Sequence, residues 1–336
     1  MVPPIAPKTA PPAATASVPQ PRHMFVFGVG FVGRYVSERL LAQGWQVSGT
    51  CTSATKKREL EALGICASVF DARDGNMSDL HTLQDATHLL ISIPPVSGIG
   101  DPLLNLNEDL KRILSHGNLQ CLSTFHQQTE SAKLRHTAEK GWLELIDDPD
   151  LSAFVFRLGG IYGPGRSLVI LALNKISLIA TLLFILQCLF ANYCSALDTI
   201  AKSRSLSQKQ KLRESKQYTA RIHVADIYQA VLASMSIRCA RKIINVVDDD
   251  PAPRAEVFAF ARSLIESRYP DLISESVEVD STGFGSCDRV IPAEKRVSNA
   301  RLKQELGVKL LHPTYRSGLQ SILDSWQAES KFPHSS

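Results

Sequence analysis

Gly28, Gly30 and Gly33 stand in the spacing G-x-G-x-x-G, directly after the apolar run 24–27, and Val32, Val36, Leu40 and Leu41 repeat at helical spacing from within the motif onward. This is the order strand, tight turn, helix. The first glycine permits the turn, the second lets a backbone approach a pyrophosphate, and the third lets the helix pack close to the strand. The amides and dipole at the helix N-terminus then hold the phosphate charge. Phe31 and Val32, between the last two glycines, join them as candidate cofactor-binding residues. The alternative is a glycine-rich turn without a ligand.

A second strand, "WQVSGT", follows Gly44 and ends without an acid; none occurs before Glu59. An NAD site places Asp or Glu there for the ribose 2′-hydroxyl. Here stand Thr50, Thr52 and Ser53, then Lys56, Lys57 and Arg58. Hydroxyls beside cations suit a 2′-phosphate, so NADP is the expected cofactor and NAD the alternative. The plainer reading of "KKRELEAL" is a solvated helix start.

These residues need a sheet to position them. "ASVFDARD" reads as a third strand delivering Asp71, "THLLISIPP" as a fourth ending in Ser92 and Pro94, and "NLQCLST" as a fifth. Strands alternating with helical segments predict an α/β fold with a doubly wound parallel sheet, a Rossmann fold, with ligands at the carboxyl ends of its strands.

The segments "FGVGFVG", "FDARD", "FRLGGIYGPGR", "RIHVADIYQAV", "INVVDDDP" and "KRVSNARLKQELG" resemble the extended and atypical short-chain dehydrogenase/reductases of the NAD-dependent epimerase/dehydratase type, and within them a plant branch. The resemblance runs nearly end to end. It implies that Asp71 contacts the adenine, that Ser92 and Pro94 line the cofactor groove, and that His223 and Asp226 sit where a helix enters the C-terminal part. Capping and packing are the other role for those two. It also implies NAD(P)-dependent oxidoreductase or epimerase chemistry on a small molecule.

That chemistry uses a Ser or Thr after the fifth strand and a Tyr and Lys spaced Y-x-x-x-K. The Tyr is the general acid/base, and the Lys lowers its pKa. Ser123 and Thr124 fit the first position, and Lys133 in "SAKLR" resembles the family's lysine. Thr129 stands four residues before it, and no tyrosine lies between Tyr35 and Tyr162. An aliphatic hydroxyl is a poor acid, and the loop between Thr124 and Ser131 is shortened. Tyr162 is the nearest replacement in sequence. The expectation is a cofactor-binding chain impaired in catalysis; the alternative is an inactive NADP-binding sensor or scaffold.

Between "GPGRS" and "ALDTIAK" runs "LVILALNKISLIATLLFILQCLF", residues 168–190, with 18 of 23 residues apolar. Its length would cross a bilayer. A span there would put two halves of one domain on opposite sides of the membrane, and Asn174, Lys175 and Gln187 interrupt it. Residues 168–195 read as an insertion of translated intron, rich in residues with T-rich codons; a lid helix and a membrane anchor are the alternatives. The organisation is then a disordered leader over 1–22, an NAD(P)-binding domain over 23–167, the insertion over 168–195, the rest of the fold with a small C-terminal substrate subdomain over 196–326, and a tail over 327–336.

The 336 residues are 44% hydrophobic and carry a net charge of +4, enough for a large core and too mild to imply nucleic acid. Seven scattered cysteines form no CxxC pair and give no disulfide or zinc signal. The leader is Pro- and Ala-rich and precedes the first acid, Glu38. Such a leader reads as a chloroplast transit peptide, with a cytoplasmic location as the alternative, or a membrane location if 168–190 spans. Arg166, Lys216 and Arg221 could meet an anionic substrate or the cofactor phosphate, with a solvated basic loop as the plainer reading. Asp248, Asp249 and Asp250 resemble a metal triplet but read as a helix lead-in, so no metal is expected. Asn299 and Gly307 suit a helix start and end.

Overall fold

The computed structural model describes residues 22–96, 98–115, 119–127, 132–146, 150–164, 218–238, 240–268 and 296–330. Thr129, Arg166, Lys216, the insertion over 168–195, nearly all of the leader and the end of the tail lie outside them.

Strand β1 (His23–Phe27) is buried along its whole length, as a strand covered on both faces must be. Its side chains alternate between two cores. Met24 and Val26 pack with Val32, Val36 and Leu40 of α1 (Phe31–Ala42), while Phe25 and Phe27 pack with Phe70 and Trp142 on the other face. Then come β2 (Gln46–Cys51), α2 (Ala54–Glu61), β3 (Cys66–Val69), β4 (His88–Ile91), α3 (Asn107–Ser115), β5 (Cys121–Gln127), α4 (Ala132–Leu145), β6 (Ser152–Leu158) and β7 (Gly160–Tyr162). After 218 follow β8 (Arg221–His223), α5 (Val224–Met235), β9 (Arg241–Val246), α6 (Arg254–Arg268), α7 (Ala300–Leu306) and α8 (Tyr315–Ser330).

Seven strands form one sheet in the order β3-β2-β1-β4-β5-β6-β9, each pair parallel. This is the expected doubly wound sheet, and its order reverses between β1 and β4. There the connections leave to opposite faces and open a crevice. A separate parallel ribbon pairs β7 with β8. Tyr162 from that ribbon joins Val257 and Ala261 of α6 and Tyr315, Leu319 and Ile322 of α8 in a third, C-terminal core.

Two boundaries differ from the sequence reading. The fifth strand does not stop at Thr124. Its pairing with β6 continues to Gln127, opposite Leu158, so Ser123 and Thr124 lie inside the strand. The last helix continues to Ser330, past the expected start of the tail at 327. Gly307 ends α7 in the left-handed conformation, φ 65°, where a side chain is disfavoured. Asn299 precedes α7 but does not cap it; its amide donates to the Val247 carbonyl and to Asp249. Among the described residues, no helix is long and apolar enough to cross a membrane.

Candidate cofactor site

A cavity of about 400 Å³ opens where β1, β2, β3 and β4 end. Gly28, Gly30, Thr50, Thr52, Ser53, Lys56, Asp71, Ser92 and Pro94 all line it. Nine residues singled out from four separate stretches of sequence therefore share one surface.

The three glycines differ in what surrounds them. Gly28 sits at φ 82°, and a Cβ there would lie 2.8 Å from Ile93 Cγ1. Gly33 faces the strand: a Cβ would lie 2.9 Å from the Gly28 carbonyl oxygen and 3.1 Å from Val26 Cγ1, so only hydrogen lets α1 pack this close. Gly30 differs: the nearest atom to its Cβ position is 4.0 Å away. Its missing side chain leaves open space at the N-terminus of α1, inside the cavity. Phe31, Val32 and Gly33 do not line the cavity. Val32 and Gly33 are buried in helix packing.

Thr50 is buried, and its hydroxyl accepts from the Gly28 amide at 2.9 Å. With Val29 N–H donating to the Thr50 carbonyl at 2.8 Å, it fastens the glycine turn to β2. Ser53 caps α2, its hydroxyl accepting from the Lys56 amide. Lys56 Nζ lies 3.2 Å from Glu59 Oε2, so the first acid after β2 partners the lysine.

Sequence reasoning missed Arg73, on the loop after β3, together with the apolar lining of Val29, Phe70, Ile93, Val96 and Pro102. The Arg73 guanidinium grips Asp71 with Nε at 3.0 Å and Nη2 at 2.5 Å, and its backbone N–H donates to the same carboxylate. These bonds hold the Asp71 carboxyl well below its usual range, to about 2. The Asp-x-Arg spacing in "FDARD" was the available signal.

The candidate catalytic residues do not join this cavity. Ser123 and Thr124 are buried. The Ser123 hydroxyl lies 3.4 Å from that of Ser234 on α5, inside the core. Lys133 is exposed in the first turn of α4. Tyr162 points the other way, into the C-terminal core, edge-on to His223 with centroids 5.2 Å apart. Its hydroxyl has no hydrogen-bond partner among the described residues. Burial first, then Asp248 and Asp226, push its pKa up. That environment opposes its use as the replacement acid.

His223 and Asp226 take capping and packing positions. His223 Nδ1 accepts from the Ala225 amide at the start of α5. Asp226, fully buried, accepts from the Leu311 and His312 amides. Arg221 is buried and donates to the carbonyls of Thr219 and Ala252, so it does not face the cavity. The three aspartates diverge. Asp248 is buried with neither carboxylate oxygen bonded among the described residues, Asp249 meets Asn299 and Lys303, and Asp250 meets Arg316.

No sequence-family model matches the chain, and no curated protein does. Solved structures do match. A conserved protein of unknown function from Silicibacter pomeroyi is 27% identical, with 90% of this chain and 99% of that one covered, at a TM-score of 0.60. The UDP-glucose 4-epimerase of Thermotoga maritima, solved with UDP-glucose, is 12% identical over 92% of this chain and 100% of its own, at 0.59. The dTDP-glucose 4,6-dehydratase of Bacillus anthracis, in complex with NAD, is 11% identical over 92% and 97%, at 0.57. The fold is the one these enzymes share, as the sequence resemblance implied.

Proposed function

We propose that this chain, which has the fold of the extended short-chain dehydrogenase/reductases, binds a nicotinamide dinucleotide in the cavity at the ends of β1 to β4, prefers NADP to NAD, and serves oxidoreductase or epimerase chemistry on a small molecule with impaired turnover. The observation that carries the binding is Gly30. Its neighbours Gly28 and Gly33 are glycines because protein atoms crowd them, whereas at Gly30 the space is open and faces the N-terminus of a 12-residue helix. A cradle that only a Cβ would fill, at a helix N-terminus, fits a pyrophosphate.

Support for NADP comes from the other end of the cavity. Thr52, Ser53, Lys56 and Arg73 line it, and Asp71, its one carboxylate among the described residues, is already held through both oxygens by Arg73. A carboxylate so engaged is a weaker acceptor for a ribose hydroxyl.

A bound nicotinamide supplies or takes up hydride. The chain must then move a proton at the substrate oxygen, and here support is thin. Among the described residues, no tyrosine lines the cavity. Lys133 would hold the nicotinamide ribose, and Ser123 or Thr124 would need to turn out of the core to polarise the substrate. Losing a positioned general acid costs about 10²–10⁴-fold in rate. The same observation favours the second reading, an NADP-binding sensor or scaffold without turnover. The acid-free leader carries the further proposal of chloroplast targeting, tested by fusing residues 1–22 to a fluorescent protein.

Fluorescence titration with NADPH and NADH tests the binding, and stopped-flow NADPH consumption across aldehydes, ketones and nucleotide sugars tests the turnover. Tighter NADPH binding with weak or absent turnover is expected. Failure to bind either cofactor refutes the site, and rapid turnover refutes the impairment.

A further inference from the structure

We infer that Arg73, rather than Lys56, is the residue that decides between a phosphorylated and an unphosphorylated adenosine ribose, with Asp71 serving as the arm that holds its guanidinium at the cavity wall. The inference rests on the NADP reading above and names the residue behind it.

A 2′-phosphate adds one strongly charged group with several acceptor oxygens. Among the described residues two cations line the cavity, Lys56 and Arg73. Lys56 belongs to α2 and is turned toward Glu59 on its own helix, at 3.2 Å. Only 15% of its side chain is exposed. Arg73 is 62% exposed and belongs to a different element, the loop after β3. A guanidinium has five N–H donors in a planar fork. Asp71 takes Nε and one from Nη2, which leaves Nη1 and the second Nη2 hydrogen for a ligand. A fork of that kind matches phosphate bidentately, where an ammonium acts as a point charge.

The loop is built to present this group. The Gly75 amide donates to the Asp71 carbonyl at 2.6 Å and closes a turn around Arg73. A Cβ on Gly75 would lie 2.5 Å from that carbonyl oxygen and 2.6 Å from the Phe70 ring, so the turn requires glycine. Inside it, Ala72 and Phe70 are buried while Arg73 stands out. The Asp71 grip fixes the guanidinium in advance, so little side-chain entropy remains to be lost on binding. Ser53, which lines the same cavity, heads α2, whose first amides add positive potential there.

The test is fluorescence titration of the full chain and of the variants Arg73→Ala, Arg73→Lys and Lys56→Ala with NADPH and NADH, with thermal melts to check folding. Loss of charged hydrogen bonds predicts that Arg73→Ala weakens NADPH by about tenfold or more, with NADH changed less than about twofold. Arg73→Lys should recover part of the NADPH affinity, and Lys56→Ala should cost less than Arg73→Ala. An Arg73→Ala variant that keeps the wild-type preference for NADPH, or weakens both cofactors alike, overturns the assignment. Equal affinity of the wild type for the two cofactors overturns it as well. A wild type that binds neither refutes the site itself, which is a separate outcome.

Discussion

Asp248 follows β9, is 3% exposed, and among the described residues neither carboxylate oxygen has a hydrogen-bond partner of good geometry. Burial, the largest influence, outweighs the attraction of Arg221 and weak support from the Arg221 and Asp250 backbone, and repulsion from Asp250 adds to it; the carboxyl is pushed up from 3.8 to about 8. The native chain then keeps this proton where the unfolded chain has lost it. Across that interval the unfolded state binds fewer protons, so stability falls as pH rises from about 4 to about 8 and levels off above. Each unit is worth about 1.4 kcal/mol, so the roughly three units between the ordinary value and pH 7 set a ceiling of about 4 kcal/mol. Relaxation and water entry around a buried ion reduce such ceilings, and about 2–3 kcal/mol is expected at pH 7. Asp248→Asn keeps the shape and removes the titration. Urea unfolding of both proteins, followed by tryptophan fluorescence at pH 5, 6, 7 and 8, should show the variant gaining on the wild type with each step. Slopes from half-buried carboxylates such as Asp71 and Glu305, both held at about 2, are common to the two proteins and cancel in the difference. A difference that does not change with pH would show that Asp248 is charged and satisfied at neutral pH, and the reasoning would be wrong.

Gly30→Asp should abolish NADPH binding while leaving the melting temperature near wild type, because its Cβ position is open and the new carboxylate would face the proposed pyrophosphate site; retained binding would place the phosphates elsewhere. Gly318→Ala should destabilise by about 1–3 kcal/mol through overpacking, since its Cβ would fall well inside contact distance of the Tyr162 ring and hydroxyl. Tyr162→Phe removes a buried hydroxyl without a partner and should be neutral or stabilising by up to about 1 kcal/mol, with unchanged NADPH affinity. The double variant Tyr162→Phe, Gly318→Ala should recover part of the loss, measured as a coupling in urea unfolding.

The cofactor end was legible because its signals are local. Three glycines, a helix period and a strand's terminal hydroxyls and lysine are read within one short stretch, and the parallel sheet brings them together. What stayed hidden depends on pairing across the fold. Thr50 could be chosen as a hydroxyl at the end of β2, but nothing in sequence says that it is used on the Gly28 amide. Ser123 and Thr124 read as the end of a strand because polar residues follow; the partner strand β6 carries the ladder three residues further and keeps them inside. Tyr162 stands in a glycine-rich loop motif, yet its direction is set by Gly318, more than a hundred residues on. Arg73 escaped notice because a charged residue after a strand is ordinary, and only the turn closed by Gly75 turns it into a fixed donor.

On the proposed reading, the chemistry end gives a physical reason for binding and turnover to separate. Glu139 of α4 is 1% exposed and is gripped by Arg157 of β6, Nε at 2.8 Å and Nη2 at 2.6 Å, with Arg135 at 3.5 Å. Breaking such a pair by removing one partner leaves a buried charge unpaired, at a cost of about 3–5 kcal/mol. Helix α4 is therefore clamped to the sheet, and Lys133, in its first turn, is carried with it. A lysine held in place tunes an acid only if an acid with a tunable pKa stands beside it. A phenol can be brought toward neutrality by a nearby ammonium, whereas the hydroxyl of a threonine such as Thr129 titrates too far above neutral pH for the same field to matter. On the proposed reading, the nucleotide cradle and the helix that presents the lysine are both intact. On that reading the element missing among the described residues is one ionisable group, whose loss would spare cofactor affinity and remove the proton transfer that turnover requires.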